Sequence, residues 1–112
     1  MMDFSHKNVL VVGVGISGNA VAKVAKMQGA DKVVLSDAKA EQDLKYDLTD
    51  VRATGVELVF GPQENTLLDN VDMVILSPAV PVRIPLVQEA YKREIPVVSE
   101  VQVAYELAKS PI

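Results

Sequence analysis

Val9-Leu10-Val11-Val12 is a continuous apolar run ending at Gly13, the pattern of a strand buried on both faces. From Ser17 to about Gln28 the period lengthens. Ala20, Val21, Val24, Ala25 and Gln28 share one helical stripe, Lys23 and Lys26 face away from it, and Gly29 stops the helix as a C′ residue. Lys32-Val33-Val34-Leu35-Ser36 predicts a second buried strand. Leu44, Leu48 and Val51 are spaced for a short helix within Gln42 to Thr54, closed by Gly55. Val56-Glu57-Leu58-Val59-Phe60 half alternates and predicts a third strand near a sheet edge. Asn65 to Asn70 predicts a turn or a single helical turn, and Val71 to Leu76 a fourth, strongly apolar strand.

The segment Ser77 to Pro85 carries prolines at 78, 81 and 85, which remove backbone donors and forbid a regular helix. Pro85 then suits the first position of a helix running to about Glu94. Pro96-Val97-Val98 predicts a brief fifth strand. Ser99 with Gln102 forms a capping box for a last helix reaching about Lys109, and Glu100 is well placed in its first turn. Strands alternating with helices predict an α/β domain: a Rossmann-like open parallel sheet of about five strands, order 3-2-1-4-5, with helices on both faces.

Composition narrows the chemistry. The chain has 112 residues, a length suited to one domain, and is 49% hydrophobic and 23% charged, as folded globular proteins are. Aromatic residues make up only 4%, so Val, Leu, Ile and Ala must build the core. With no Cys and only His6, disulfides, Cys-zinc sites, thiolate catalysis and Ser-His-Asp chemistry are not expected. A net charge of −4 argues against a nucleic-acid-coating surface. No apolar run is long enough to cross a bilayer and no secretory pattern is present, so a cytoplasmic setting with no membrane partner is expected.

Gly13-Val14-Gly15-Ile16-Ser17-Gly18 is a complete G-x-G-x-x-G that follows a strand and opens a helix. Gly13 permits the tight turn, Gly15 lets a ligand approach bare backbone, and Gly18 lets the helix pack closely on the first strand. The amides of Ile16 and Ser17, with the positive end of the helix dipole, suit a phosphate or diphosphate, and the Ser17 hydroxyl adds a donor. The plain alternative is a packing turn that binds nothing. Asp37, at the end of the second strand, stands where nucleotide-binding folds place an acid beside a ribose; it serves equally as a turn residue. Ser77 opens the loop opposite, across the point where the strand order reverses, and Lys39 and Arg83 lie in loops at the same end. No G-x-x-x-x-G-K-[ST] is present, nor any defensible nucleophile–base pair, so this chain binds rather than catalyses.

Four segments together resemble the N-terminal domain of the Mur ligase family, in its D-glutamate-adding branch. They are Lys7 to Gly18, Ser36-Asp37, Ser77-Pro78-Ala79-Val80-Pro81, and Ile95-Pro96-Val97-Val98-Ser99-Glu100-Val101. The resemblance covers essentially the whole chain. It implies a single domain over residues 1–112, the first of three in a longer ATP-dependent, ADP-forming ligase of peptidoglycan precursor synthesis. This domain would hold the UDP part of UDP-N-acetylmuramoyl-L-alanine. By the same resemblance the amides of Gly15, Ile16, Ser17 and Gly18 meet the diphosphate, Asp37 and Ala38 hold the uracil with Lys39 flanking it, and Ser77 and Pro78 pack on the nucleoside. ATP and magnesium belong to the central domain, outside this chain. There an acyl phosphate forms on the substrate carboxylate and the amine of D-glutamate attacks it. Two departures stand out: Ala79 replaces the family's glycine, which implies strain if the backbone needs a positive φ, and Ala38 offers the base no hydroxyl.

The glycine loop and Asp37 alone would serve an NAD-binding domain of an oxidoreductase equally well, and a nucleotide-sensing module that gates a channel or transporter is a third reading. The Ser-Pro-x-x-Pro loop and the Ile-Pro-Val-Val-Ser-Glu segment favour the ligase domain, because a dehydrogenase has no evident need for either, and a sensor module is expected to show an exposed apolar dimer face that the sequence does not reveal.

Overall fold

The order of strands follows from which runs are apolar on both faces. The computed structural model describes residues 4–44 and 47–109, with side chains at all of these except 16, 17, 104 and 106–109. The strands are β1 (Asn8–Val12), β2 (Lys32–Asp37), β3 (Glu57–Phe60), β4 (Met73–Leu76) and β5 (Val97–Ser99). They form one sheet in the order β3-β2-β1-β4-β5, parallel at every pairing, as the alternation of elements predicts. β1 is the central strand, flanked by β2 and β4, and β4 is buried throughout. β3, at the edge, is no better than half-buried.

The helices are α1 (Ile16–Met27), α2 (Thr49–Ala53), α3 (Pro85–Lys92) and α4 (Glu100–Lys109). Successive β1 side chains point to opposite faces. Val9 and Val11 join Val21, Ala22, Ala25, Val51 and Val103 in one core, beneath α1, α2 and α4. Leu10 and Val12 join Leu86, Val87, Ala90 and Leu68 in the other, beneath α3 and a 3-10 turn at Asn65–Leu68. Each fully buried Val or Leu contributes about 1.5–3 kcal/mol from burial alone, so two such layers can hold a domain poor in aromatic residues.

Two expectations need correction. The face that α1 buries is Gly18, Val21, Ala22 and Ala25; Ala20 and Gln28 are exposed and Val24 is only half-buried. The helix is rotated by about one position because Gly18 is pinned against β1's exit. The helix expected over Gln42 to Thr54 is also divided. A 3-10 turn covers Glu41–Asp43, Leu44 is extended at ψ 141°, and α2 covers only Thr49–Ala53. Asp47 supplies the start signal, its Oδ1 accepting the Thr49 N–H at 2.9 Å. These bonds to Thr49 hold the Asp47 carboxyl below its usual pKa. Elsewhere the local chemistry is as expected: Gly29 and Gly55 adopt φ +97° and +93° after α1 and α2, Pro85 opens α3, and the Gln102 N–H donates to Ser99 Oγ at 3.0 Å at the head of α4.

Candidate functional site

The sheet register brings three chain exits together. Val12 pairs with Ser36 on one side and Leu76 on the other, so Gly13, Asp37 and Ser77 each stand one step beyond the paired rows. Gly13 N–H donates to Ser36 O at 2.8 Å, and Ser77 N–H to Val12 O at 3.0 Å. The strand order reverses between β1 and β4, and the crevice outside the carboxyl ends of parallel strands at such a point is where open α/β sheets place ligands.

Two glycines make that crevice. Gly13 adopts φ +103°, and a Cβ there would lie 2.7 Å from Ser77 Cβ. At Gly18 a Cβ would lie 2.4 Å from the carbonyl oxygen of Gly13, a contact no side chain survives. The first turn of α1 is therefore drawn onto the exit of β1. Gly15 is its N-cap, in extended backbone, and contributes no side-chain cap; no acidic residue sits in that turn. The N-terminal amides of Ile16, Ser17 and Gly18 are the donors a helix start leaves for an anion. The Ser17 hydroxyl lies outside the described side chains.

Asp37 is more committed than expected. Its Oδ2 accepts the Val14 N–H and its Oδ1 the Lys39 N–H, both at 2.9 Å. The carboxylate thus ties the glycine loop to the β2 exit and shapes the turn that follows. Ala38 and Lys39 are exposed on that turn. Opposite, the Val80 N–H donates to Ser77 O at 2.9 Å, closing a turn with Pro78 and Ala79 at its corners. Ala79 is not among the residues of positive φ, so the strain expected of an alanine at this position is not present. Gln88 Nε2 holds the rest of the loop by donating to Val82 O at 2.9 Å.

Between these loops is a crevice of about 560 Å³ lined by Gly13, Val14, Asp37, Lys39, Ser77 and Val80 among others. A smaller, more apolar lobe of about 210 Å³ adjoins it, bounded by Asp37, Ala38, Ala79, Pro81, Ile84 and Gln63. Together they have the size of a nucleotide site. Gly15, Gly18, Pro78 and Arg83 line neither. Another hollow, of about 340 Å³, lies at the opposite end of the strands around Asn8, Lys32, Glu57 and Val71. Among the described residues no cluster of His, Asp or Glu side chains could hold a metal ion.

Sequence reasoning missed two polar residues here. Gln63 reaches back from the β3 exit to donate through Nε2 to the fully buried Ser36 Oγ at 3.1 Å, presenting its amide at the apolar lobe. Nothing in its spacing marks it. Glu100 was legible only as a favourable first-turn acid of α4. It is in fact 3% exposed, its Oε1 has no hydrogen-bond partner, and that oxygen lies 3.2 Å from where a Gly18 Cβ would be. Burial pushes its carboxyl pKa up. The nearby Asn19 likewise has a buried Oδ1 without a partner.

A doubly wound parallel sheet with a glycine-built crevice at its switch point defines a Rossmann-like domain. A model of the family described as "Mur ligase MurD-like, N-terminal domain" matches residues 7–99, and the chain belongs to that family. It is 40% identical over 112 residues to the UDP-N-acetylmuramoylalanine--D-glutamate ligase of Pelotomaculum thermopropionicum, covering 100% of this chain and 24% of that one. Over 113 residues it is 34% identical to the ligase of the same name from Alkaliphilus metalliredigens, covering 99% of this chain and 25% of the relative. The chain thus spans about a quarter of the length of the curated relatives it matches. Among solved structures, the UDP-N-acetylmuramate-alanine ligase MurC of Thermotoga maritima superposes with a TM-score of 0.70 at 26% identity, covering 93% of this chain and 23% of that one. Glutamyl-tRNA reductase from Methanopyrus kandleri (TM-score 0.61, 21% identity, 89% of this chain and 32% of that one) shares the fold alone.

Proposed function

We propose that this chain is the UDP-holding first domain of a three-domain cytoplasmic ligase that joins D-glutamate to UDP-N-acetylmuramoyl-L-alanine in peptidoglycan precursor synthesis. The observation that carries the reading is the meeting of Gly13, Asp37 and Ser77 at the mouth of the crevice, in a chain whose whole length matches the start of ligases of that name. The diphosphate sits on the amides of Gly15, Ile16, Ser17 and Gly18, which no side chain caps. The uracil lies by Asp37 and Ala38 with Lys39 at its rim, and Ser77 and Pro78 bound the nucleoside. Because Asp37 already accepts two backbone N–H groups, base contacts on this side fall to the backbone at Ala38 and to the Gln63 amide beside the apolar lobe.

The chain's part in the reaction is to bind and orient. It contains no phosphate loop of the ATP-binding type, and the central domain supplies ATP and magnesium. Binding by this domain alone is weak, micromolar or looser on the usual affinity scale, since the ligand is shared between domains and the net charge of −4 opposes a diphosphate. Amide-resolved NMR titration with UDP, and separately with NAD, tests the reading. Shifts at Gly15, Ile16, Ser17, Asp37 and Ser77 with UDP and little response to NAD are expected. A stronger NAD response at the same amides would overturn it in favour of a dinucleotide-binding domain.

A further inference from the structure

Glu100 is a buried residue whose Oε1 has no hydrogen-bond partner, directly behind the helix start on which the anion is proposed to sit. It is 3% exposed, and its Oε1 rests against Gly18, inside the first turn of α1. The charged groups around it are few. α4 packs against α1, β4 and β5; Met73–Leu76 and Val97–Ser99 carry no titratable side chain, and α1 carries only Lys23 and Lys26. Lys26 Nζ donates to Asp31 O at 3.3 Å, toward the other end of the helix. Among the residues flanking the crevice, Asp37 is held to the Val14 and Lys39 amides, and Asp43 and Lys39 lie across the crevice lining. On α4 itself the remaining charges are Glu106 and Lys109, beyond its first turn. No ion pair to Glu100 is present among the described residues.

An anion seated on the first turn of α1 lies within about 10 Å of this carboxyl. Two negative charges so placed cannot both persist without loss of affinity, and the carboxyl is the one that can accept a proton. We propose that Glu100 is a proton-linked positioning residue of the glycine loop: its carboxyl is neutral while a diphosphate occupies the start of α1, and the site takes up one proton there as the diphosphate binds. This rests on the diphosphate placement of the preceding section. Burial already biases Glu100 toward the neutral form in the free protein.

The linkage has a definite sign. Below the free-state pKa the carboxyl is neutral in both states and affinity is greatest. Between the free and bound pKa values, affinity falls by up to about tenfold per pH unit as pH rises. Above both it levels off at the weaker value.

The test is calorimetric titration of the 112-residue chain with UDP-N-acetylglucosamine, and in parallel with NAD, from about pH 5 to about pH 8. The phosphates of both probes are diesters and lack the titration near pH 6 of phosphate monoesters. His6, the sole histidine of the sequence, precedes β1 and so lies at the end of the strand away from the crevice. The expected result is an affinity that drops about tenfold with rising pH in wild type, and a pH-independent affinity at the stronger value in Glu100→Gln. A flat wild-type profile with the UDP-sugar overturns the inference and leaves the uridine reading standing. Proton-linked binding of NAD without the UDP-sugar upholds the inference and overturns the uridine reading. No binding of either overturns both. Should Glu100→Gln fail to fold, the carboxyl of Glu100 is followed by carbon-detected NMR in wild type: its titration must move to higher pH on adding ligand, and an unmoved titration overturns the inference.

Discussion

The two loops that face each other across the crevice are shaped by opposite means. The Gly13–Gly18 loop is built by removing side chains, so that helix and strand backbones touch: a Cβ at Gly18 would fall 2.4 Å from the Gly13 carbonyl. The Ser77–Pro85 loop is built by removing backbone freedom. Prolines at 78, 81 and 85 restrict its φ angles, and the turns that Val80 closes on Ser77 and Ile84 on Pro81, with the Gln88 side chain, hold the rest. The first loop has no room for a side chain at Gly13 or Gly18, whereas the second presents most of its residues outward. One wall of the crevice is thus fixed by contact and the other by chain stiffness, which suits the proposed placement of a phosphate at the first and a nucleoside at the second.

That contrast is broken or sharpened by substitution on each side. The largest effect is expected from Gly18→Ala, where the added carbon meets backbone rather than a side-chain end. A loss of about 3 kcal/mol or more in chemical denaturation is expected. A loss below about 1 kcal/mol would show that α1 can slide off β1 freely. Gly13→Ala follows, combining φ +103° with a carbon 2.7 Å from Ser77 Cβ; a loss of about 2 kcal/mol is expected, with amide shifts at Ser77 reporting the displaced opposite wall. Asp37→Asn leaves one acceptor oxygen for two backbone donors, so either the Val14 or the Lys39 N–H loses its partner. About 1 kcal/mol is expected, and hydrogen exchange at those two amides identifies which bond is lost.

Glu100→Gln has the opposite sign. A carboxyl whose folded pKa is raised destabilises the fold at pH values above that pKa, and the penalty fades as pH falls toward the unfolded value. The unliganded wild type should therefore gain stability on mild acidification through this window. The Gln variant should be the more stable protein at neutral pH and lack that gain, as thermal unfolding across pH will show.

The sheet was legible because each strand is a short apolar run bounded by glycine, proline or polar residues, and parallel crossovers leave few orders open. Ser99 and Pro85 announced their helices through capping chemistry that is local in sequence. What stayed hidden depends on contacts between distant segments. The rotation of α1 is set by Gly18 meeting Gly13, which a periodicity count cannot weigh against Ala20 or Val24. The division of the 42–54 segment turns on Asp47 beginning the helix late, although Leu44, Leu48 and Val51 fit one helical stripe. Of the candidate site, the glycine loop, Asp37 and Ser77 were readable as a set. The Gln63–Ser36 bond and the burial of Glu100 were not, because each is made across the sheet's end by residues 27 or more positions apart or by a helix docking on another.

The smallest predicted effect bears most directly on the second wall. The resemblance read from the sequence implies a glycine at position 79, and with it that alanine there is strained and that Ala79→Gly would relieve it. The backbone says otherwise, since Ala79 keeps a negative φ within the turn that Val80 closes on Ser77. Where the native conformation suits alanine, glycine only widens the unfolded ensemble, so Ala79→Gly should destabilise by about 0.5 kcal/mol. A stabilisation of similar size would mean that the turn favours a left-handed residue after all. That would make the Ser77 loop depend on conformational strain as the Gly13 loop does, and the contrast between the two walls would disappear.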